Sequence, residues 1–330
     1  MKLLSRIIVL FVCLSTIPLK AGAPWGFFAH KRINELAVFT LPEELFGFYK
    51  DNIHFITEHA VDPDKRRYGV KGEAPRHYID IDHYCKHDSA CNPFDLVPRR
   101  WNDAVEKFSE DTLMEYGIVP WHISNMTYRL TKAFEEKNIK RILRTSAEIG
   151  HYIGDAHVPL HTTENYNGQL SGQYGIHGFW ESRLPELYEP DYDFFVGKAN
   201  YVESPLDKAW DVVEASHNAL DSVLRFEKEL TEEYDEDDKF SYEERGRMLI
   251  KVYSEEFSNA YHQRLNGQVE RRMKEAVITI GSLWYTAWVN AGQPNLDEIS
   301  PEEMENLKEE IAKENESKEL PELRKREHDN

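Results

Sequence analysis

Cysteine is scarce in this chain, with three residues in 330. A small fold built on a disulfide framework is therefore excluded. Long apolar runs are also few. The one that stands out, Ile7 to Leu14, follows the positive start of Lys2 and Arg6 and precedes the small-residue triplet Ala21-Gly22-Ala23. That order reads as a signal peptide over residues 1–23, with an apolar run too short to span a bilayer. A lipoprotein reading of Cys13 is disfavoured because Val12 stands where a small residue is expected. The expectation is an exported protein, secreted or periplasmic, with no transmembrane segment. Positive charge is in deficit as well: 40 Lys and Arg face 59 Asp and Glu, a formal net charge of −19. Loss of Lys2, Arg6 and Lys20 with the leader would take it three units lower. Such a chain is not built to grip duplex nucleic acid through basic phosphate contacts. Convincing strand alternation and internal repeats are both lacking, which leaves an all-α, single multi-helix domain as the expected architecture.

What is present is histidine, placed unevenly. Eleven of fourteen histidines lie between His30 and His177. The densest stretch is His151-Tyr-Ile-Gly-Asp155-Ala-His157-Val-Pro-Leu-His161, followed by His177-Gly-Phe-Trp-Glu181. His151 and Asp155 are four apart, as are His177 and Glu181. On a helix that spacing points an imidazole and a carboxylate the same way, which is half of a zinc site. A single pair of this kind is more often a surface pair or a core hydrogen bond. Two pairs with His161, and with Asp62, His77 and His30 upstream, favour metal.

These residues resemble the zinc-dependent phospholipase C and single-strand nuclease superfamily, whose members are secreted, all-α and carry clustered zinc ions. The resemblance rests on Trp25 with His30 five residues on, on Asp62 fifteen residues before His77-Tyr78-Ile79-Asp80, and on the ungapped match from His151 to His161. It is dense from Trp25 to Glu181 and thin beyond. It implies about three zinc ions held by nitrogen and oxygen ligands. One would be held by Asp62, His77, His151 and Asp155. A second would be held by His161, His177 and Glu181. The third would use His30, Asp155 and the amine and carbonyl of an N-terminal Trp25, with Asp155 bridging. If Pro24 remains after cleavage, the Trp25 nitrogen is an amide and a poor ligand. The implied chemistry is phosphodiester hydrolysis by zinc-activated hydroxide. Asp62 and Asp155 are then catalytic, and Lys65 contacts the phosphate. Arg66 could serve instead of Lys65, and the Lys65-Arg66-Arg67 run could equally be an ordinary basic surface patch.

The resemblance leaves the substrate divided. Tyr78 and Asp80 match nuclease positions that stack on a base and hydrogen-bond to it. Their plain alternatives are core packing for Tyr78 and orientation of a ligand histidine for Asp80. Glu181 and the short connection from His161 to His177 resemble the phospholipase branch, whereas the nuclease branch carries Asp at that position. The expectation leans to single-stranded DNA or RNA, with phospholipid as the alternative. A non-catalytic, exported zinc-binding protein is a third reading, disfavoured because His161, His177 and Glu181 are three ligands with no evident fourth.

Along the chain, a buried helix face runs through Ile139, Ile142, Leu143, Ala147, Gly150 and Gly154. Two glycines inside a helix weaken it unless something approaches closely there. Pro159 ends that helix or bends it, so His161 is expected in the exit turn. Residues 162–176 read as a loop, and a helical pattern runs from about Glu243 to Trp288, with Trp284, Tyr285 and Trp288 as core. Residues 24–293 form the expected catalytic domain. Residues 294–330 form an acidic tail with a helix start at Ser300-Pro301. In an exported protein Cys85 and Cys91 are expected to pair across a short loop, with free or metal-binding thiols as the alternative.

Overall fold

The computed structural model describes residues 26–86, 90–245, 248–296 and 309. The leader, Trp25 and the tail helix start at Ser300 lie outside the described residues. The described chain is an all-α domain with one small hairpin. Seven helices carry the argument: α1 (Phe27–Val38), α2 (Asp62–Arg66), α3 (Val119–Glu135), α4 (Ile139–Ala156), α5 (Pro205–Thr231), α6 (Glu255–Arg264) and α7 (Gln268–Asn290). Shorter helices and turns fill the connections. None of the described helices is long and apolar enough to cross a membrane.

Three of these helices start at a side-chain cap. Asn138 caps α4 by accepting from the Arg141 amide at 3.0 Å. Ser204, with Pro205 in the first turn, caps α5 through the Asp207 amide. Ser254 caps α6 through the Phe257 amide. Each such cap stabilises its helix by about 1 kcal/mol. α4 runs through the middle, packed against α1, α3 and α7. Its apolar stripe from Ile142 to Ala156 is buried, as the three-four spacing requires. Trp284 and Trp288 of α7 are buried and Tyr285 is partly so. The Trp284 indole stacks on Tyr49 and donates to the Ser146 carbonyl of α4. Full burial of such a side chain contributes roughly 1.5–3 kcal/mol.

One expectation needs correction. The helical pattern placed from Glu243 does not begin there. Phe240–Arg245 and Met248–Tyr253 form two antiparallel strands, β1 and β2, with Phe240 opposite Tyr253. Helix resumes only at Glu255 and breaks again at Asn266 and Gly267, both in the left-handed region, before α7. The hairpin is held by tertiary packing. Tyr253 stacks on Phe179 at 3.8 Å, and Val252 and Tyr253 are buried. The polar run of β1 hides this alternation from a one-dimensional reading.

Cys85 and Cys91 are joined by a disulfide. α4 ends at Ala156, and Pro159 opens a tight turn, Pro159–Thr162, that carries His161. The loop after it is pinned by Asp82, which accepts from the Thr163 hydroxyl at 2.6 Å and the Glu164 amide at 3.0 Å. The chain then reaches a short helical turn with His177, followed by a π-helical turn, Phe179–Arg183, with Glu181. Such turns recur at functional sites because they re-aim side chains within a helix.

Candidate metal centre

Most of the histidines and carboxylates singled out in the sequence converge, and they come from five segments. α1 supplies His30, α4 supplies His151 and Asp155, the exit turn supplies His161, and the 176–183 segment supplies His177 and Glu181. His77 comes from the segment after a tight turn, Ala74–Arg76. His30, His77, His151, Asp155 and His161 are all buried. Asp64 and His177 are the more open members, with side chains 24% and 22% exposed, so the centre faces solvent on their side.

Asp155 lies at the middle, with its two oxygens serving different neighbours. Oδ2 is 2.9 Å from His77 Nδ1 and 3.3 Å from His151 Nε2. Oδ1 is 3.3 Å from His30 Nε2 and 3.9 Å from His161 Nε2. Glu181 divides in the same way. Oε1 is 3.3 Å from His30 Nε2, and Oε2 is 2.6 Å from His177 Nε2 and 3.4 Å from His161 Nε2. Four overlapping triads can hold a metal ion: His77, His151 and Asp155; His30, Asp64 and His151; His30, Asp155 and Glu181; and His161, His177 and Glu181.

The donor set fits zinc. Nitrogen and oxygen ligands about 2.0–2.1 Å from a tetrahedral ion stand roughly 3.3 Å from one another. The spacings here run from 2.6 to 3.9 Å. Two pairs of imidazole nitrogens approach head-on at 3.1 Å, His151 Nε2 with His77 Nδ1 and His177 Nε2 with His161 Nε2. Converging lone pairs of this kind suit a shared cation. His161 donates from Nδ1 to the His77 carbonyl at 2.6 Å, and its own carbonyl accepts from the Ile79 amide. That bond places the proton on Nδ1 and leaves the Nε2 lone pair for the centre.

The electrostatics agree. Burial would push the Asp155 carboxyl up, but the charges of His151 and His161 outweigh it and hold it well below the usual range. Glu181 is held down by His161, His177 and His30 against the same burial cost. Asp64 falls to about 2, burial being overcome by His151 and His77. In return His151 rises to about 9, since Asp155 outweighs its burial. Three ionised carboxylates thus share positive charge carried on imidazole nitrogens. Divalent cations compete with those protons for the same atoms, so metal binding and proton release are linked.

The placement of the sequence-singled residues differs in part from what the resemblance implied. Asp62 is not among the converging groups. Its oxygens accept from His59 Nδ1 at 2.5 Å and Lys65 Nζ at 2.7 Å. Asp64, two residues on, stands at the centre instead, with Oδ1 3.4 Å from His151 Nε2 and 3.6 Å from His77 Nδ1. Lys65 is half-exposed and paired with Asp62. Arg66 is held in a bidentate contact to Glu148, at 2.7 and 3.0 Å, and also donates to Tyr152. It is Arg67 whose charge acts on both His161 and Tyr78. Tyr78 donates its hydroxyl to the Glu115 carbonyl. Asp80 sits nearby, its carboxyl pushed up to about 7 by burial and by Asp82 and Glu164. Trp25 lies outside the described residues. Gly26 is described, and a Cβ on it would stand 3.3 Å from Glu181 Oε1, so the chain enters beside the centre.

Sequence reasoning missed Asp64 as a member of the centre and Arg67 as the basic group acting on His161. The Asp62-Pro-Asp64 doublet was the visible signal for the first.

The close approach expected at the two helix glycines is present. A Cβ on Gly154 would lie 2.9 Å from His30 Nδ1, and one on Gly150 would lie 1.9 Å from Asn34 Oδ1. Both neighbours belong to α1, so the glycines let α1 bring His30 against His151, whose rings stack at 4.0 Å.

A largely helical domain that gathers ionised carboxylates and facing imidazoles in this way has the donor set of a metal centre. A family model described as zinc dependent phospholipase C matches residues 29–244, a span that takes in every member of the centre. The chain belongs to that family, whose members are zinc-dependent hydrolases of phosphoester bonds. A comparison with curated proteins returned no match. The crystal structure of Clostridium perfringens alpha-toxin isolated from avian strain SWCP aligns with 84% of this chain, at 12% identity and a TM-score of 0.47. This chain spans 66% of the toxin chain.

Proposed function

We propose that the protein is an exported phospholipase C that hydrolyses the phosphodiester between glycerol and headgroup. The observation that carries this reading is the phospholipase C family match across residues 29–244, the segment that builds the whole centre and ends its ligand series in Glu181. The charge of the chain supports it. A net −19 repels a long polyanion, whereas a zwitterionic headgroup carries no net charge to repel.

Asp64, Asp155, Glu181 and the five imidazoles of His30, His77, His151, His161 and His177 would hold the zinc ions. Zinc bound there supplies positive charge against the phosphate and makes water acidic enough to yield hydroxide near neutral pH. The protein's own part is to keep the three carboxylates ionised, to fix the His161 tautomer through the His77 carbonyl, and to present Arg67 on the side of His161 and Tyr78. In the reaction the water oxygen bonds to phosphorus and the phosphorus–oxygen bond to glycerol breaks. The leaving alkoxide takes a proton, giving diacylglycerol and the phosphorylated headgroup.

A second reading, cleavage of single-stranded DNA or RNA, is favoured by one observation. Tyr78 and Asp80 lie together on the side of His161, and an Asp80 carboxyl at about 7 can donate a hydrogen bond to a base as well as accept one. The deciding experiment gives zinc-loaded protein phosphatidylcholine and phosphatidylethanolamine vesicles in one set of tubes, and single-stranded DNA and RNA in another. Phosphorylated headgroup released by protein and abolished by chelation is the expected result. Oligonucleotide cleavage without any lipid turnover would move the protein to the nuclease reading.

A further inference from the structure

We propose that Glu73 is a positioning residue for the metal centre, holding His77 from behind so that its Nδ1 faces the cation. This rests on the metal reading of the centre and is independent of the choice of substrate. His77 directs Nδ1 at the centre, 2.9 Å from Asp155 Oδ2 and 3.1 Å from His151 Nε2. An imidazole that gives one nitrogen to a cation keeps its proton on the other. Here the other is Nε2, which is buried and makes no hydrogen bond among the described residues. The carboxylate facing it is Glu73, whose Oε1 is 3.7 Å away. That is a charge contact, longer than a hydrogen bond. The proposal is that it closes to one when His77 takes a cation.

Glu73 is suited to the role because it cannot move away. It is fully buried. Its Oε2 accepts from Arg76 Nη1 at 2.8 Å and stands 3.1 Å from Arg66 Nε, and its Oε1 accepts from the Tyr152 hydroxyl. Arg66 is fixed in turn by Glu148. Tyr152 neighbours His151 on α4, so the same carboxylate is tied to the helix that supplies two other ligands. A buried carboxylate without partners is costly. Two guanidinium groups and a phenol offset that cost and leave one direction, towards His77, for the remaining interaction. A carboxylate behind a metal-bound histidine fixes its ring and raises its basicity, and loss of such a partner lowers metal affinity by roughly 10–100-fold.

The test measures zinc affinity on the full secreted chain by competition with a chromophoric chelator, and follows the visible bands of the cobalt-substituted protein. In Glu73→Gln, one class of bound zinc is expected to weaken by about 10–100-fold. The class held by His161, His177 and Glu181 should keep its affinity, and the cobalt bands of the weakened class should shift. Arg76→Gln disturbs the same buried cluster but leaves the carboxylate, and should stay within about threefold of the parent. If Glu73→Gln does not fold, Glu73→Asp draws the carboxylate back by one methylene and should show an intermediate loss in the same class. Equal weakening of every zinc class, or affinities unchanged in a folded Glu73 variant, would overturn the proposal. A parent protein that binds no zinc tightly would instead sink the metal reading on which it stands.

Discussion

Replacement of Gly150 by alanine tests how α1 and α4 are held in register around the centre. In isolation the change favours the helix by about 1 kcal/mol, because alanine is the better helix former. The structure reverses that sign. The new methyl would stand 1.9 Å from Asn34 Oδ1 and 2.9 Å from Asn34 Nδ2, far inside ordinary contact. Asn34 is itself committed, since its Nδ2 donates to the Ala147 carbonyl at 2.9 Å and approaches the Ile56 carbonyl at 3.4 Å. Overpacking costs roughly 1–3 kcal/mol. Displacing a buried amide from its acceptors costs about another 1–3 kcal/mol. After the helix gain is subtracted, Gly150→Ala should destabilise by about 1–5 kcal/mol. The assay is urea unfolding of metal-free protein, read as a lower midpoint at unchanged slope. The cause is isolated by repeating the change in an Asn34→Ala background. There the obstruction is gone, and Gly150→Ala should be neutral or stabilising, a coupling that distant sites do not show. A midpoint that rises in the parent background, or a loss that persists without Asn34, would refute this account of the glycine.

Two further outcomes are expected. Asp64→Asn should lower the number of zinc ions retained per chain by elemental analysis. Asp62→Asn should leave that number unchanged and cost no more than about 1 kcal/mol, as its contacts to His59 and Lys65 are partly exposed; the reverse pattern would restore the ligand set implied by the sequence resemblance. His122, which is not itself among the converging groups, gives a pH test. Burial, helped by Arg76, lowers its imidazole to about 3. Below pH 6.5 the unfolded chain takes up a proton that the folded one refuses until about pH 3, so stability is full above 6.5 and falls as pH drops through that window. His122→Phe should flatten this part of the curve in chelated protein, so the midpoint difference between variant and parent should change between about pH 4.5 and 7.5. A constant difference would contradict the buried neutral histidine.

Much of the centre was legible because its ligands come in local pairs. His151 with Asp155 and His177 with Glu181 are four apart, and helix geometry alone aligns such pairs. The buried stripe of α4, its end before Pro159 and the glycine positions where α1 approaches follow from the same period. The all-α class was also within reach of residue types and spacing, and the resemblance of the ordered motifs pointed to the zinc-dependent family, whereas the pairing of Cys85 with Cys91 was one of two open readings. What the sequence could not decide was which of two neighbouring groups would turn inward. Asp62 and Asp64 lie on one short helix, and Asp62 is drawn to His59 and Lys65 while Asp64 meets His151 and His77. Arg66 is held by Glu148 and Tyr152, and it is the charge of Arg67 that acts on His161. The hairpin at 240–253 is held by Tyr253 stacking on Phe179, more than seventy residues earlier in the chain. Glu73 looks like any surface acid until Arg66, Arg76 and Tyr152 close around it. Helical period is a property of near neighbours and is written in the chain. The orientation of a carboxylate or a guanidinium is settled by partners far away in sequence, and only the folded packing brings those partners together.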